Sequence, residues 1–185
     1  YVSALNDFQT HGVIVYANSN NQSLSNAMIQ AGFPTIFPEL AEAWITVGNT
    51  DTRGGLQSTS SSDYALLSAP CGDAKEFCIQ ADGTEIGGAA LMDSGTAFYY
   101  YANAQSGAGF RVGTSFAAPQ VSGAIALLAE AFPNHTPEQL VDRILASGYN
   151  GFYTHEGATT FVNGVEHGYS YDFGHGMLDL GAALS

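Results

Sequence analysis

The run Gly113-Thr114-Ser115-Phe116-Ala117-Ala118-Pro119-Gln120-Val121-Ser122-Gly123 puts a hydroxyl nucleophile at the head of the longest apolar segment in the chain. A Ser at the mouth of a helix has a backbone N–H without an intrahelical partner and sits at the positive end of the helix dipole. Both features stabilise an oxyanion forming beside the hydroxyl. Gly113 lets the chain turn tightly into the helix, and Pro119 reads as part of the first helical turn, where a missing N–H costs little. Ala117, Ala118, Gly123 and Ala124 are small enough for neighbouring elements to approach closely. Alone, a Ser at a helix start is usually only a cap. Acyl transfer also needs an oxyanion donor, a general base and a carboxylate to orient it.

The run closely resembles the nucleophile motif of the subtilase family, G-T-S-M-A-A-P-H-V-S-G, with Phe116 in place of Met and Gln120 in place of His. The resemblance implies that Ser115 is the nucleophile of an acyl-enzyme mechanism. Ile14-Val15-Tyr16-Ala17-Asn18-Ser19-Asn20 is similar to the family's strand ending in A-A-G-N, with Ser19 where Gly is usual. By that resemblance Asn20 is the side-chain oxyanion donor; Asn18 in a shifted alignment, or a plain polar loop, are the alternatives. The interval between Asn20 and Ser115 is longer than in compact subtilases, and the extra length falls to Gly54–Ser62 and Gly83–Gly109. Three more segments agree. Ala43–Gly48 resembles the strand ending in V-G, and Cys71–Gly83 resembles the A-P-G region, with Asp82 replacing the Pro. Phe173-Gly174-His175-Gly176-Met177-Leu178-Asp179 resembles the Y-G-x-G-x-L-N/D ending of the catalytic domain.

Other chemistry-bearing residues fit less well. Leu91-Met92-Asp93-Ser94-Gly95-Thr96 looks like an aspartic-peptidase loop, but that chemistry needs a second carboxylate to share one proton, and no second D-T-G or D-S-G exists. In a subtilase the Asp comes first, then His, then Ser, so Asp93 reads as loop. His11 precedes Gly12 but runs into a strand rather than the family's H-G-T-x-V helix. His135, His155, His167 and His175 all follow Ser115 and read as surface or loop residues.

The elements that must position these groups follow from the apolar pattern. Val2–Phe8 spaces its apolar residues as one helical face, and Val13–Ala17 and Trp44–Val47 read as buried parallel strands. Ser25–Ala31 is expected as a short helix stopped by Gly32 and Pro34, and Gly48–Asp63 as turns. Tyr64–Leu67 and Ala97–Tyr101 are expected strands. Ser115–Phe132 is apolar around nearly its whole circumference and so is expected at the domain centre. Thr136, Pro137 and Gln139 form a capping box for a helix closed by Gly148. This alternation implies an α/β fold with helices on both faces of a parallel sheet. The family resemblance makes it a subtilisin-like three-layer α/β/α architecture with a mainly parallel sheet, incomplete in this chain.

Composition bounds the rest. With 185 residues, 45% apolar and 11% charged, the chain suits one globular domain. The net charge of −13 argues against binding nucleic acid phosphates. No stretch approaches about 18 uninterrupted apolar residues, so no membrane span is expected. Cys71 and Cys78 lack the further ligands zinc needs; they read as a local disulfide, with two inert thiols as the alternative. Paired cysteines here resemble the autotransporter-type branch of the family, and a disulfide would indicate a secreted or cell-surface protein. The expectation is therefore a serine endopeptidase acting on polypeptide substrates. Residues 1–185 would form the C-terminal part of one catalytic domain, partnered by an N-terminal part that carries the Asp and His. Calcium is common in the family, yet no ligand loop is visible. The competing reading is a catalytically dead subtilase-fold module that binds or supports.

Overall fold

The computed structural model describes residues 1–53, 55, 57–84, 86, 90–91, 98–99 and 112–185. At its centre, β2 (Trp44–Thr52) lies between two parallel neighbours, β1 (Ile14–Ala17) and β4 (Cys78–Ala81). β3 (Tyr64–Leu66) runs antiparallel to the far end of β2. The tail continues the sheet beyond β4, where Gln80 N donates to Gly176 O and Leu178 N donates to Gln80 O, both at 2.8 Å. Among the described residues the outer edge of β1 carries no strand.

Strand alternation sorts the side chains into two faces. Ile45, Val47, Ile79 and Ala81, joined by Val15 and Ala17, pack in one core with α3 (Thr114–Ala131) and α4 (Pro137–Ala146). Trp44 and Thr46 are buried on the opposite face, and both donate to Ala31 O, at 3.1 and 2.6 Å. Those bonds satisfy polar groups that would be costly to bury unpaired. They also tie the 18–36 loop to the sheet. The helix α1 (Val2–Gln9) forms as the spacing predicts, and the capping box of α4 is complete, with Gln139 N on Thr136 Oγ1 and Thr136 N on Gln139 Oε1. The result is an α/β fold with a mainly parallel sheet.

Several expectations need correction. Ser25–Ala31 is not helical; the helix there is α2 (Phe33–Ile36), with Gly32 as N-cap and Pro34 inside its first turn. Proline starts this helix rather than stopping one, as its fixed φ allows. β2 runs to Thr52 through Gly48 and Asn49, because pairing with β3 and β4 overrides turn-like composition. The antiparallel pair β7 (Gly157–Thr160) and β8 (Glu166–Tyr169) and the strand β4 escaped the sequence reading. Ala90–Leu91 (β5) pairs with Phe98–Tyr99 (β6), inside the expected strand Ala97–Tyr101 whose other residues lie outside the described set. The helix α3 is not buried all round. Ala117, Val121, Ala124 and Leu128 are buried, whereas Pro119, Gly123 and Ala126 are exposed and Leu127 is 51% exposed. The short helix α5 (Leu180–Leu184) closes the tail.

Candidate active site

Ser115 is the second residue of α3 and is exposed to solvent. Its N–H precedes the intrahelical ladder, as expected for a helix start. Gly113 caps the helix with φ +148°, a conformation that favours glycine. Pro119 is the sixth helical residue, one turn deeper than the sequence reading puts it. The N–H it lacks would have met the Ser115 carbonyl.

Asn20 reaches this helix start. Its Oδ1 accepts the Thr114 backbone N–H at 2.9 Å and faces the Thr114 hydroxyl at 3.2 Å. A backbone N–H can only donate, so the atom facing it is the amide oxygen, and Nδ2 is the end left over. Nδ2 also lies on the Gly113 side, where a Cβ added to Gly113 would come within 3.2 Å of it. Asn18 is placed differently. It is buried, with Nδ2 donating to Ala69 O and Pro70 O at 3.0 Å and Oδ1 accepting from Ser19 N and Met28 N. Its backbone carbonyl accepts the Thr114 hydroxyl at 2.7 Å. Asn18 and Asn20 thus flank Thr114, one through its main chain and one through its side chain.

Cys71 and Cys78 are joined in a disulfide across the 3-10 helix Gly72–Phe77. Both are fully buried, and Gln80 Nε2 donates to Cys71 Sγ at 3.1 Å. This staple adjoins the Ala69-Pro70 carbonyls that hold Asn18.

Sequence reasoning missed Asn49. It is fully buried on β2, its Oδ1 accepts Gly83 N at 2.8 Å, and its Nδ2 has no partner among the described residues. A buried Asn in a parallel strand was the available signal, hidden by reading the Gly48–Asp63 stretch as turns. The histidines also need correction. His175 is completely buried and His167 half-buried; they meet at 2.9 Å between Nδ1 atoms. As neutral rings they share two protons. Gly148 O and Glu76 O can only accept, so those protons sit on His167 Nε2, which donates to Gly148 O at 2.9 Å, and on His175 Nε2, which donates to Glu76 O at 3.1 Å with the Thr159 hydroxyl 3.4 Å away; the two Nδ1 atoms are left facing each other. Burial, and then the neighbouring His167, push His175 down to about 3; burial also lowers His167. Neither ring contacts the Ser115 end of α3. His11 and His155 are exposed, His135 is partly so, and Asp93 lies outside the described residues. Much of the Gly83–Gly109 interval lies outside them too. Among the described residues no three His, Cys, Asp or Glu side chains come together as metal ligands. No described helix is long and apolar enough to cross a membrane.

A family model described as the Subtilase family matches residues 1–176. An extracellular serine protease of Serratia marcescens is 27% identical over 140 residues, covering 70% of this chain and 13% of that protein. Fervidolysin of Fervidobacterium pennivorans is 28% identical over 179 residues, covering 94% of this chain and 22% of that protein. The chain therefore spans less than a quarter of either relative. Among solved structures, the self-cleaved protease domain of PatA overlays with a TM-score of 0.58 at 19% identity, covering 99% of this chain and 52% of that one. The PatG macrocyclase bound to peptide gives 0.61 at 19% identity, covering 99% and 46%.

Proposed function

Because this chain belongs to the subtilase family, we propose that it forms the nucleophile-bearing part of a secreted serine endopeptidase. The observation that carries the reading is the Asn20–Thr114 contact at the head of α3. It sets an amide donor, Nδ2, beside the helix end from which Ser115 projects. In this reading Ser115 Oγ attacks the scissile carbonyl of a polypeptide, and the oxyanion takes hydrogen bonds from the Ser115 N–H and Asn20 Nδ2. A His base removes the Ser115 proton and returns it to the leaving amine; water then releases the acyl group. In this reading the His and the Asp come from a preceding part of the same catalytic domain, in the family's order of Asp, then His, then Ser. The edge of β1, which carries no strand among the described residues, and the side of α3 that bears Gly123, Ala126 and Leu127 supply surfaces for that part. The Cys71–Cys78 disulfide supports an oxidising compartment, as does the extracellular relative.

The test is labelling of the full-length protein with a fluorophosphonate, followed by peptide mapping. Modification at Ser115, abolished by Ser115→Ala along with peptide hydrolysis, is the expected result. A folded, full-length protein that takes no label would instead be the non-catalytic module.

A further inference from the structure

Three of the places where the chain departs from the family's motifs, Asp82, Phe116 and Gln120, meet in space. Gln120 Nε2 donates to Asp82 O at 2.6 Å and to Phe116 O at 3.1 Å, so both amide protons are used. The Asp82 carboxylate gathers four donors. Its Oδ2 accepts from Thr52 N at 3.1 Å and Thr52 Oγ1 at 2.6 Å, and its Oδ1 accepts from Thr84 N at 3.0 Å and from the Thr84 hydroxyl. A proline at this position could offer the same carbonyl to residue 120, but nothing to draw Thr52 and Thr84 together.

Gly83, the next residue, passes this anchoring on. Its N–H donates to Asn49 Oδ1 at 2.8 Å, and its carbonyl accepts Gly113 N at 3.0 Å. The packing leaves no slack: a Cβ on Gly83 would collide with the Gly113 carbonyl and lie 2.9 Å from Ala117 N. Asp82-Gly83 is therefore bonded to the end of β2 through Thr52 and Asn49. It is also bonded to α3 through Gln120, and to the residue two before Ser115 through Gly113.

We propose that Asp82 and Gln120 are positioning residues for the nucleophile, clamping the head of α3 to the end of β2 so that Ser115 is held at a fixed height above the sheet. This rests on the reading of Ser115 as nucleophile. Neither side chain takes part in bond making; each acts through Gly83 and Gly113. Misplacing a reacting atom by about 1 Å costs on the order of 100-fold in rate. Loosening the clamp therefore lowers kcat and leaves substrate binding alone.

The experiment uses the full-length enzyme and a peptide amide substrate, for which acylation limits turnover. Wild-type labelling at Ser115 is established first; its failure would remove the nucleophile assignment and leave the clamp geometry untouched. Gln120→Met keeps the shape of the side chain without its donors, and Gln120→His restores one N–H. Asp82→Ala removes the acceptor, and Thr52→Val removes one of its donors. With kcat expressed per folded molecule, Gln120→Met and Asp82→Ala are expected to lose about 10–100-fold with KM within about twofold. Thr52→Val should lose less, and Gln120→His should recover most of the Gln120→Met deficit. The proposal is overturned if kcat per folded molecule stays within twofold of wild type in both Gln120→Met and Thr52→Val, or if KM rises while kcat holds.

Discussion

Asn20 Oδ1 accepts the backbone N–H of Thr114 at 2.9 Å, across 94 positions of sequence. The contact fixes the amide's orientation by chemistry alone, since the N–H can face only the oxygen. What it leaves over is a donor at the head of α3.

Two substitutions separate holding from donating. Asn20→Ala loses both and should lower kcat by about 10²–10³-fold, the size known for removing a comparable donor from subtilisin. Asn20→Asp keeps the oxygen for Thr114 but replaces the donor with negative charge, so activity should fall at least as far while Tm stays near wild type. Steady-state kinetics on the full-length enzyme decide it; an active Asn20→Asp enzyme would mean Nδ2 does not meet the oxyanion.

Asn18→Ala should behave in the opposite manner. Its amide satisfies the Ala69 and Pro70 carbonyls and the Ser19 and Met28 N–H groups in a buried site. Leaving a buried polar group unpaired costs about 1–3 kcal/mol, so the full-length variant should lose at least about 2 kcal/mol of stability. Its effect on kcat per folded molecule should be smaller than that of Asn20→Ala. Urea unfolding alongside kinetics reads both quantities, and a larger kcat loss at position 18 would shift the donor assignment there.

How much of this was legible in the sequence differs by element. α3, α4 and the cores of β1 and β2 declare themselves through apolar runs and the Thr136 capping box. Ser115 and the Asn18–Asn20 loop were legible through motif order. The division of labour between the two asparagines was not, because it depends on Ala69 and Pro70 folding back over Asn18. β4 hides in four residues, and its partner segment Gly176–Leu178 looks like a glycine turn until Gln80 is seen bonding both its ends. The exposed side of α3 was misread because the sequence records only that Gly123, Ala126 and Leu127 are apolar or small, not what covers them. His175 reads as surface or loop because nothing near it in sequence shows that Glu76 O, Thr159 and His167 will enclose its ring.

The disulfide should resist reductant until the fold opens, since both sulfurs are buried. Closing a loop this short contributes about 2.5 kcal/mol in the chain-entropy picture. Non-reducing peptide maps of the native protein should show the Cys71–Cys78 link, and with reductant and alkylating reagent both present the two cysteines should be modified only once denaturant is added. Rapid alkylation of native protein would place the pair in an open site.

Acid should destabilise the protein through His175. Burial depresses this ring from the ordinary 6.5 to about 3, so on acidification the unfolded chain takes up the proton first. Stability from this group is complete above pH about 6.5 and is lost as pH falls towards 3, at up to about 1.4 kcal/mol per pH unit. His167, lowered in the same sense, adds to the slope. Asp82 is affected by burial, which raises its pKa, but the Thr52 and Thr84 hydrogen bonds outweigh it and hold the carboxyl below its ordinary value. Its contribution is therefore lost only below pH about 4, whereas burial raises Asp142, a shift that favours the folded state on acidification, so the imidazole's share is read by comparison with a variant that lacks it. His175→Gln keeps a polar side chain of similar reach that does not titrate. Urea unfolding of the full-length protein at pH 7.0 and 4.5 should show wild type losing about 1–3 kcal/mol more than His175→Gln over that interval. Equal losses in the two proteins would mean that His175 takes no part in the acid response.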